Sequence, residues 1–200
     1  NIENLGALRT IIYNYAIAKA QDGEFVYRCD NTDPSKHTKE NALFIENQLK
    51  SIGMTLDYSP STGFNGQSLY QSERKHIYQR YIDDLLRKDC AIVEDTGAIK
   101  VIPEQLRHSS NRYIDWDDLI LGAIRFPIES LHDFYITRSN GTPLFYLAAV
   151  ADDNEMGITH ILSGQDKISS LEYQIALRRM LDLPDVQHGH VPLALSPNGT

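Results

Sequence analysis

One glycine stands where a helix begins. Gly6 lies in "NLGALRT" (4–10), just before apolar residues that recur at helical spacing. Glycine is a poor helix former, so its position asks for a reason. Either a ligand approaches the bare backbone and the N–H groups at the start of the helix, or the glycine permits a tight turn or close helix packing. The stretch alone leaves both interpretations open.

A pair of aspartates ends a long apolar run. "PLFYLAAVADD" (143–153) is typical of a strand buried on both faces of a parallel sheet. Ligands of open α/β sheets bind at the carboxyl ends of strands, so Asp152 and Asp153 lie where a site is expected. The two carboxylates could form a catalytic pair. Alternatively, one caps the strand end or the following turn and the other lines a pocket.

Two histidines follow near the end of the sequence. His188 and His190, in "HGH" with Asp185 nearby, are two residues apart and would face the same side of a strand. Such a group can bind a metal ion, or it can form the wall of a site for another ligand.

These residues need elements that position them. Apolar residues at helical spacing predict four helices. The first runs from 5 to about 20, and the second follows an Asp33 N-cap with Pro34 in its first turn. The third begins at about Ser72, and the fourth lies around 173–181. The expected inward positions of the last three are Ala42, Ile45, Leu49 and Ile52; Ile77, Tyr81 and Leu85; and Tyr173, Ala176, Leu177, Met180 and Leu181. Strands are predicted at 24–29, 98–102, 143–153 and 158–162. Alternating helices and strands indicate an α/β domain with a mostly parallel sheet.

Composition limits the class of protein. Two hundred residues with 42% hydrophobic and 23% charged residues favour one domain, 1–200. The helix and strand pattern weakens after Cys90, and we expect a connecting insertion at about 90–141 within that domain. Cys29 and Cys90 have no CxxC spacing, which favours a reduced, cytoplasmic setting. We expect no membrane partner, because no apolar stretch is long enough to cross one, and we expect a monomer. The net charge of −8 neither excludes nor establishes an RNA partner.

Several stretches together resemble one family. They are "LGALRTIIYNYAIAKAQDGEFVYRCDNTD", "YQSERKHIYQRYIDDLL", "DDLILGAIRFPIESLHDFYITRSNGTPLFYLAAVADDNEMGITHILSGQD" and "HVPLAL". In this order they are similar to the HIGH-to-RIEDTD segment, the QSER helix, the FP-to-RGDD stretch and the HLPL segment of glutamyl-tRNA synthetases and their tRNA-Asp-modifying paralogues. The resemblance covers nearly the whole chain outside residues 90–113.

The resemblance implies a Rossmann-like class I synthetase catalytic domain with a shortened connecting insertion. It implies activation of an amino acid by ATP, with Mg²⁺ bound to the triphosphate, and transfer to tRNA. The implied catalytic residues are Asn4 and Gly6. The implied ATP-binding residues are Asn4, Gly6, Ala7, Gln165, His190, Pro192 and Leu193, and the implied amino-acid-binding residues are Asp30, Phe145, Tyr146, Asp153 and Ser163. It implies no metal ligands, and it favours a pocket-lining role for one aspartate of the 152–153 pair.

The sequence departs from the family pattern at functional positions. Asn4 stands in place of the first histidine of HIGH, and Ala7 in place of its last residue. Asp30 replaces a glutamate, Phe145 a tyrosine and Ser163 an arginine that pairs with a substrate carboxylate. Glutamate is therefore doubtful as the substrate. Two alternatives stay open, which are transfer to an acceptor other than tRNA and a catalytically inactive, synthetase-like binding module.

Overall fold

The computed structural model describes residues 5–35, 37–109 and 112–193. Its helices are α1 (Leu5–Ala20), α2 (Lys39–Ser51), α3 (Lys75–Arg87), α4 (Glu104–Arg107), α5 (Phe145–Glu155) and α6 (Ile168–Met180). Its strands are β1 (Ala91–Val93), β2 (Ile99–Val101), β3 (Tyr113–Asp118), β4 (Gly122–Pro127), β5 (Phe134–Tyr135), β6 (His160–Gly164) and β7 (Gln187–Val191). Short 3-10 helices lie at Gln71–Glu73, Ile128–Ser130 and Gln165–Lys167.

The described strands form three small sheets. β1, β2 and β5 pair antiparallel, β3 and β4 form an antiparallel hairpin, and β6 and β7 pair in parallel. Parallel pairing beyond β6 and β7 is confined, in the described ranges, to the isolated bridges Val26–Tyr58 and Cys29–Tyr70. The expected predominance of parallel strands is therefore not seen. The connecting region between α3 and α5 is built from antiparallel strands, which short turns can join.

The segment 143–153 is a helix rather than the predicted strand. Helix α5 begins at Phe145, and every residue from Leu147 to Asp153 is buried. A helix that is enclosed on all sides is apolar all round, so its sequence lacks the period that distinguishes it from a buried strand. Asp152 and Asp153 consequently lie inside a helix and not at the end of a strand.

Two further predictions were wrong. Residues 24–29 run alongside their neighbours through single bridges and form no continuous strand. Helix α2 begins at Lys39, and the side chain of Thr38 caps it by accepting a hydrogen bond from the Asn41 N–H. Asp33 instead accepts hydrogen bonds from the backbone and hydroxyl of Ser35 in a turn, a common alternative for aspartate before proline.

Periodicity predicted the other helices well. Helix α3 buries Ile77, Tyr81 and Leu85 as expected, and α6 buries Ala176, Leu177 and Met180. On α2 the expected face holds at Ala42 and Leu49, whereas Ile52 is 55% exposed because it lies past the helix end. Strand β2 lies within the predicted segment 98–102, β6 overlaps the predicted segment 158–162, and β7 contains the "HGHV" stretch.

The main core lies between α3, α5 and α6. Its fully buried side chains include Tyr78 and Leu85 of α3, Leu147 of α5 and Leu177 of α6. The β1–β2–β5 sheet packs onto the same core through Val101. Within the described residues, no helix is both long and apolar enough to span a membrane. The predicted bounds of a connecting insertion at 90–141 stay a prediction.

Candidate functional site

The carboxyl ends of β6 and β7 lie side by side. In the parallel register Ser163 pairs with His190, and Gly164 pairs with Val191. Gln165 opens the short 3-10 helix after β6, and Pro192 follows β7. Four of the predicted site residues are thus brought to one edge, where the ends of neighbouring parallel strands usually form a binding crevice.

The first turns of α1 approach the same edge. The Arg9 guanidinium donates a hydrogen bond to the backbone carbonyl of Pro192. One turn earlier, the Gly6 carbonyl accepts a hydrogen bond of 3.0 Å from the Thr10 hydroxyl. The amino end of α1 therefore lies next to the carboxyl end of β7. Asn4 lies outside the described residues, and Leu193, at 55% exposure, is the last described position.

Asn14 fixes α1 against β6. Its carboxamide donates to the Leu162 carbonyl at 2.7 Å and accepts from the Leu162 N–H at 2.9 Å. This paired contact is what a residue of an adjacent strand would make, so the free edge of β6 is satisfied at Leu162 by a helix side chain.

A buried carboxylate holds His190. Asp118, at the end of β3, accepts hydrogen bonds from the backbone N–H groups of His190, Ile120 and Leu121. Its second oxygen meets His190 Nδ1 in a short contact, and the two side chains are 0% and 2% exposed. Burial would raise the pKa of Asp118, but the His190 ring and the three backbone donors lower it to about 2. The carboxylate is therefore ionised at neutral pH.

His188 faces a different environment. Burial, with the nearby positive charge of Arg178 as the next cause, lowers the pKa of His188 to about 4. Its Nε2 is buried without a hydrogen-bond partner in the described part of the chain. No group of three His, Cys, Asp or Glu side chains that could hold a metal ion occurs within those same ranges. The metal interpretation of "HGH" thus has no further ligand in support.

The two aspartates of α5 belong to an extended network of charges. We call it the arginine–aspartate cluster, and its members are Arg28, Asp30, Arg74, Asp152, Asp153 and Arg178. Arg28 donates to Asp30 at 2.6 Å and to Asp153 at 2.7 Å. Arg74 donates to Asp152 at 2.6 Å. Arg178 lies 3.5 Å from the second oxygen of Asp153.

Most of this cluster is inaccessible to a ligand. Asp152 is fully buried and also accepts hydrogen bonds from Gln71 at 3.0 Å and from Tyr78 at 2.9 Å. Burial raises the pKa of Asp153, and the guanidinium groups of Arg28 and Arg178 oppose that rise. Asp30 is the accessible member, with 38% of its side chain exposed.

A cavity of about 590 Å³ opens between α1, residues 23–30 and β6. Arg28, Asp30 and Asp153 line it, together with apolar side chains that include Ile11 and Phe25. Of the predicted amino-acid-binding residues, Asp30 and Asp153 are therefore brought together at one cavity.

The predicted aromatic pair lies elsewhere. Tyr146 stacks on Tyr173 with ring centroids 5.1 Å apart and packs against the main core, while Phe145 is 46% exposed. Neither lines the cavity, and neither does Ser163. The predicted residues thus fall into three groups, which lie at the strand ends, at the cavity and at the start of α5.

Several polar residues of the site were not singled out from the sequence. Asn14, Arg74 and Asp118 lie within the stretches that carry the resemblance and Arg178 lies outside them, but the partners of all four are distant in sequence and no periodicity links them. Arg28 lies in "YRCDNTD", so the stretch that drew attention to Asp30 also contained its partner.

Comparison with known proteins identifies the family of this sequence. The family described as "tRNA synthetases class I (E and Q), catalytic domain" matches residues 4–113 and 95–200. Glutamate–tRNA ligase 2 of Fervidobacterium nodosum is 33% identical over 213 residues, covering 98% of this chain and 46% of that protein. Glutamate–tRNA ligase of Methylacidiphilum infernorum is 33% identical over 202 residues, covering 98% and 44%. The chain spans about half the length of these relatives.

Solved structures agree on the fold. The crystal structure of a glutamate tRNA ligase from Elizabethkingia meningosepticum, in complex with its amino acid, superposes with a TM-score of 0.87 at 24% identity. The match covers 98% of this chain and 48% of that one. The predicted Rossmann-like class I synthetase fold is confirmed.

Proposed function

Because the chain belongs to the catalytic-domain family of class I tRNA synthetases for E and Q, we propose that it activates an amino acid with ATP. The substrate carboxylate attacks the α-phosphorus, pyrophosphate leaves, and the aminoacyl-adenylate passes its acyl group to the 3′ end of a tRNA. One observation carries the proposal. The contact of Arg9 with Pro192 joins the amino end of α1 to the carboxyl ends of β6 and β7, and helix amino ends and strand ends of this kind are where α/β proteins bind phosphate-bearing ligands.

The nucleotide lies at that junction in this proposal. Gly6 keeps the amino end of α1 free of a side chain, so the adenosine can approach the backbone. Gln165, His190, Pro192 and Leu193 form the opposite wall in this proposal, and Ala7 adds to the helix side. Asn4 would serve as a neutral hydrogen-bond donor to phosphate, where negative charge develops during the reaction.

The amino acid lies beside Asp30 in this proposal. The exposed carboxylate of Asp30 and the inner carboxylate of Asp153 offer negative charge for a substrate ammonium group. Family resemblance also assigns Phe145, Tyr146 and Ser163 to amino-acid binding, although they lie outside this cavity. Ser163 can donate one neutral hydrogen bond, but it cannot form an ion pair with a second carboxylate. We therefore propose an amino acid related to glutamate, with weaker selection for an acidic side chain.

Mg²⁺ fits this site through the nucleotide. The described ranges hold no group of three carboxylate, thiolate or imidazole ligands, so the triphosphate would supply most of the ligands to the ion. Bound there, Mg²⁺ would offset negative charge on the phosphates. We assign it no protein ligand.

Pyrophosphate exchange tests the proposed activity. The protein is incubated with ATP and labelled pyrophosphate, with each of the twenty amino acids, with and without total tRNA. Exchange with one or a few amino acids is expected. Gly6→Val should lower the exchange rate about 100-fold, because a branched side chain would occupy the nucleotide's place. Ala16→Val, on the exposed face of the same helix, should leave it within about twofold. Absence of exchange under every condition would overturn the proposal.

A further inference from the structure

We propose that Asp118 is a positioning residue that fixes the imidazole of His190 so that its Nε2 accepts a hydrogen bond from the nucleoside part of the nucleotide. This inference rests on the proposed function. It goes further by assigning a role to the β3–β4 hairpin, which the sequence analysis treated only as part of a connecting insertion.

Asp118 holds the strand end through both of its oxygens. Oδ1 accepts the His190 N–H at 3.0 Å and the N–H groups of Ile120 and Leu121 at 3.1 and 3.0 Å. Oδ2 meets His190 Nδ1. One carboxylate therefore fixes the backbone and the ring of His190 together, and it also closes the turn of the hairpin.

The contact determines which ring nitrogen carries the proton. An ionised carboxylate only accepts hydrogen bonds, so Nδ1 of His190 must carry the hydrogen that points to Asp118. In the neutral ring, Nε2 is then left with a lone pair and acts as an acceptor. Without Asp118, the two tautomers of the ring would both be available.

Nε2 of His190 is the ring atom left for a ligand. No described residue forms a hydrogen bond with it, and it is not among the fully buried polar atoms without partners. His188, two residues earlier, differs in that its Nε2 is fully enclosed. The side chain of His190 is only 2% exposed, so its surroundings hold the ring in one orientation and leave a small part of it accessible.

The surroundings of the ring define the ligand chemistry. His190 pairs in register with Ser163, at the strand ends where the short 3-10 helix Gln165–Lys167, which contains Asp166, follows β6. Pro192, two residues on, contacts Arg9 of α1. An acceptor nitrogen at this edge, next to a carboxylate, suits a ribose hydroxyl or a purine amino group. It does not suit a phosphate oxygen, which is itself an acceptor.

The tautomer can be measured without any ligand. In the intact protein labelled with ¹⁵N-histidine, His190 is assigned by the loss of its signals in His190→Asn. We expect the Nδ1–H form in the native protein and a mixture of tautomers in Asp118→Ala. Asp117→Ala removes a neighbouring exposed carboxylate and should leave the ring signals unchanged. A native Nε2–H tautomer would overturn the inference, whatever the activity of the protein.

Kinetics test the contact with the nucleoside. Asp118→Ala and His190→Asn should each raise the KM for ATP in the exchange reaction about three- to tenfold, the value of one hydrogen bond, with kcat little changed. The double variant should be no worse than His190→Asn alone, because both changes remove the same contact. His190→Gln, whose Nε2 and Oε1 lie near the position of the ring Nε2, should recover part of the affinity.

The outcomes separate the inference from the proposed function. If the native protein shows no exchange, the proposed function fails, while the tautomer measurement still decides whether Asp118 sets the ring. If exchange occurs and the KM for ATP is unchanged in both single variants, the proposed function stands and the role of His190 is overturned. Additive losses in the double variant would assign Asp118 to hairpin structure only.

Discussion

Two buried polar groups of this molecule differ in whether they leave a hydrogen-bonding atom available to a ligand. In the arginine–aspartate cluster, three guanidinium groups meet three carboxylates, and Asp152 alone has contacts with Arg74, Gln71 and Tyr78. In the Asp118–His190 pair, the carboxylate is fully used, yet one ring nitrogen remains without a partner in the described structure. The cluster holds separate elements together, whereas the pair leaves Nε2 of His190 available for a ligand.

The difference follows from the elements that carry each group. The cluster joins α5 to the segments that hold Arg28, Arg74 and Arg178, which are far apart in sequence. Its inner charges, on Arg74, Asp152 and Arg178, are enclosed and stabilise one arrangement of these segments, so only its outer edge at Asp30 is open to a substrate. The pair lies at the end of β7, where strand ends face the expected crevice. The enclosed part of the cluster therefore belongs to the framework, whereas Asp30 at its edge and the partly satisfied ring of His190 belong to the proposed site.

Breaking the cluster should have the largest effect. Arg74→Met leaves the buried carboxylate of Asp152 without its 2.6 Å partner, and we expect a loss of about 3–5 kcal/mol in unfolding free energy. Urea unfolding measures it. Arg80→Met removes a cation that is 63% exposed and paired with Glu155, and it should cost at most about 1 kcal/mol. Equal small losses in both variants would contradict a structural role for the cluster.

Acid should lower the stability of the folded protein through the buried side chain of His188. Its pKa is about 4 in the folded protein and 6.5 in the unfolded chain. Between pH 6.5 and pH 4 the imidazole of His188 is protonated in the unfolded chain and neutral in the folded protein. The free energy of unfolding therefore falls as the pH is lowered from 6.5 to 4. The loss attributable to His188 is about 3 kcal/mol at pH 4 and absent above pH 7.

The matched comparison uses His188→Gln. Its unfolding free energy, measured by denaturant titration from pH 7 to 4.5, should decline less steeply than that of the native protein. His76→Gln, at an exposed position of α3, controls for the loss of a histidine. Parallel pH profiles for His188→Gln and the native protein would show that His188 is not held neutral by burial.

The smallest effect is expected at the free edge of β6. Asn14→Ala removes both hydrogen bonds to Leu162 and leaves the backbone N–H and C=O of Leu162 without these partners. We expect a loss of about 1–2 kcal/mol in unfolding free energy. Asn47→Ala, on the exposed face of α2, should change stability by less than about 0.5 kcal/mol. Faster hydrogen exchange at the Leu162 amide should accompany the Asn14 variant. An unchanged exchange rate would mean that Asn14 does not protect this edge.

Sequence reasoning succeeded where one face of an element is buried. The periods of α3 and α6 identified their inward residues. Motif resemblance singled out Gln165 and His190 for ATP and Ser163 for the amino acid; the structure brings the three to one edge, and their roles stay predictions. Sequence reasoning failed at α5, because a helix enclosed on all sides has no polar face to reveal its period. The partners of Asp118, Asp152 and Asp153 depend on contacts between distant segments, which neither composition nor local spacing encodes.

Photoaffinity labelling tests the central claim that a nucleotide binds between the amino end of α1 and the carboxyl ends of β6 and β7. The native protein is irradiated with 8-azido-ATP, with and without excess ATP, and labelled peptides are mapped by mass spectrometry. We predict ATP-protectable label within residues 4–10, 163–167 or 188–193. Protectable label confined to the β1–β2–β5 sheet, or no protectable label at saturating probe, would contradict the account.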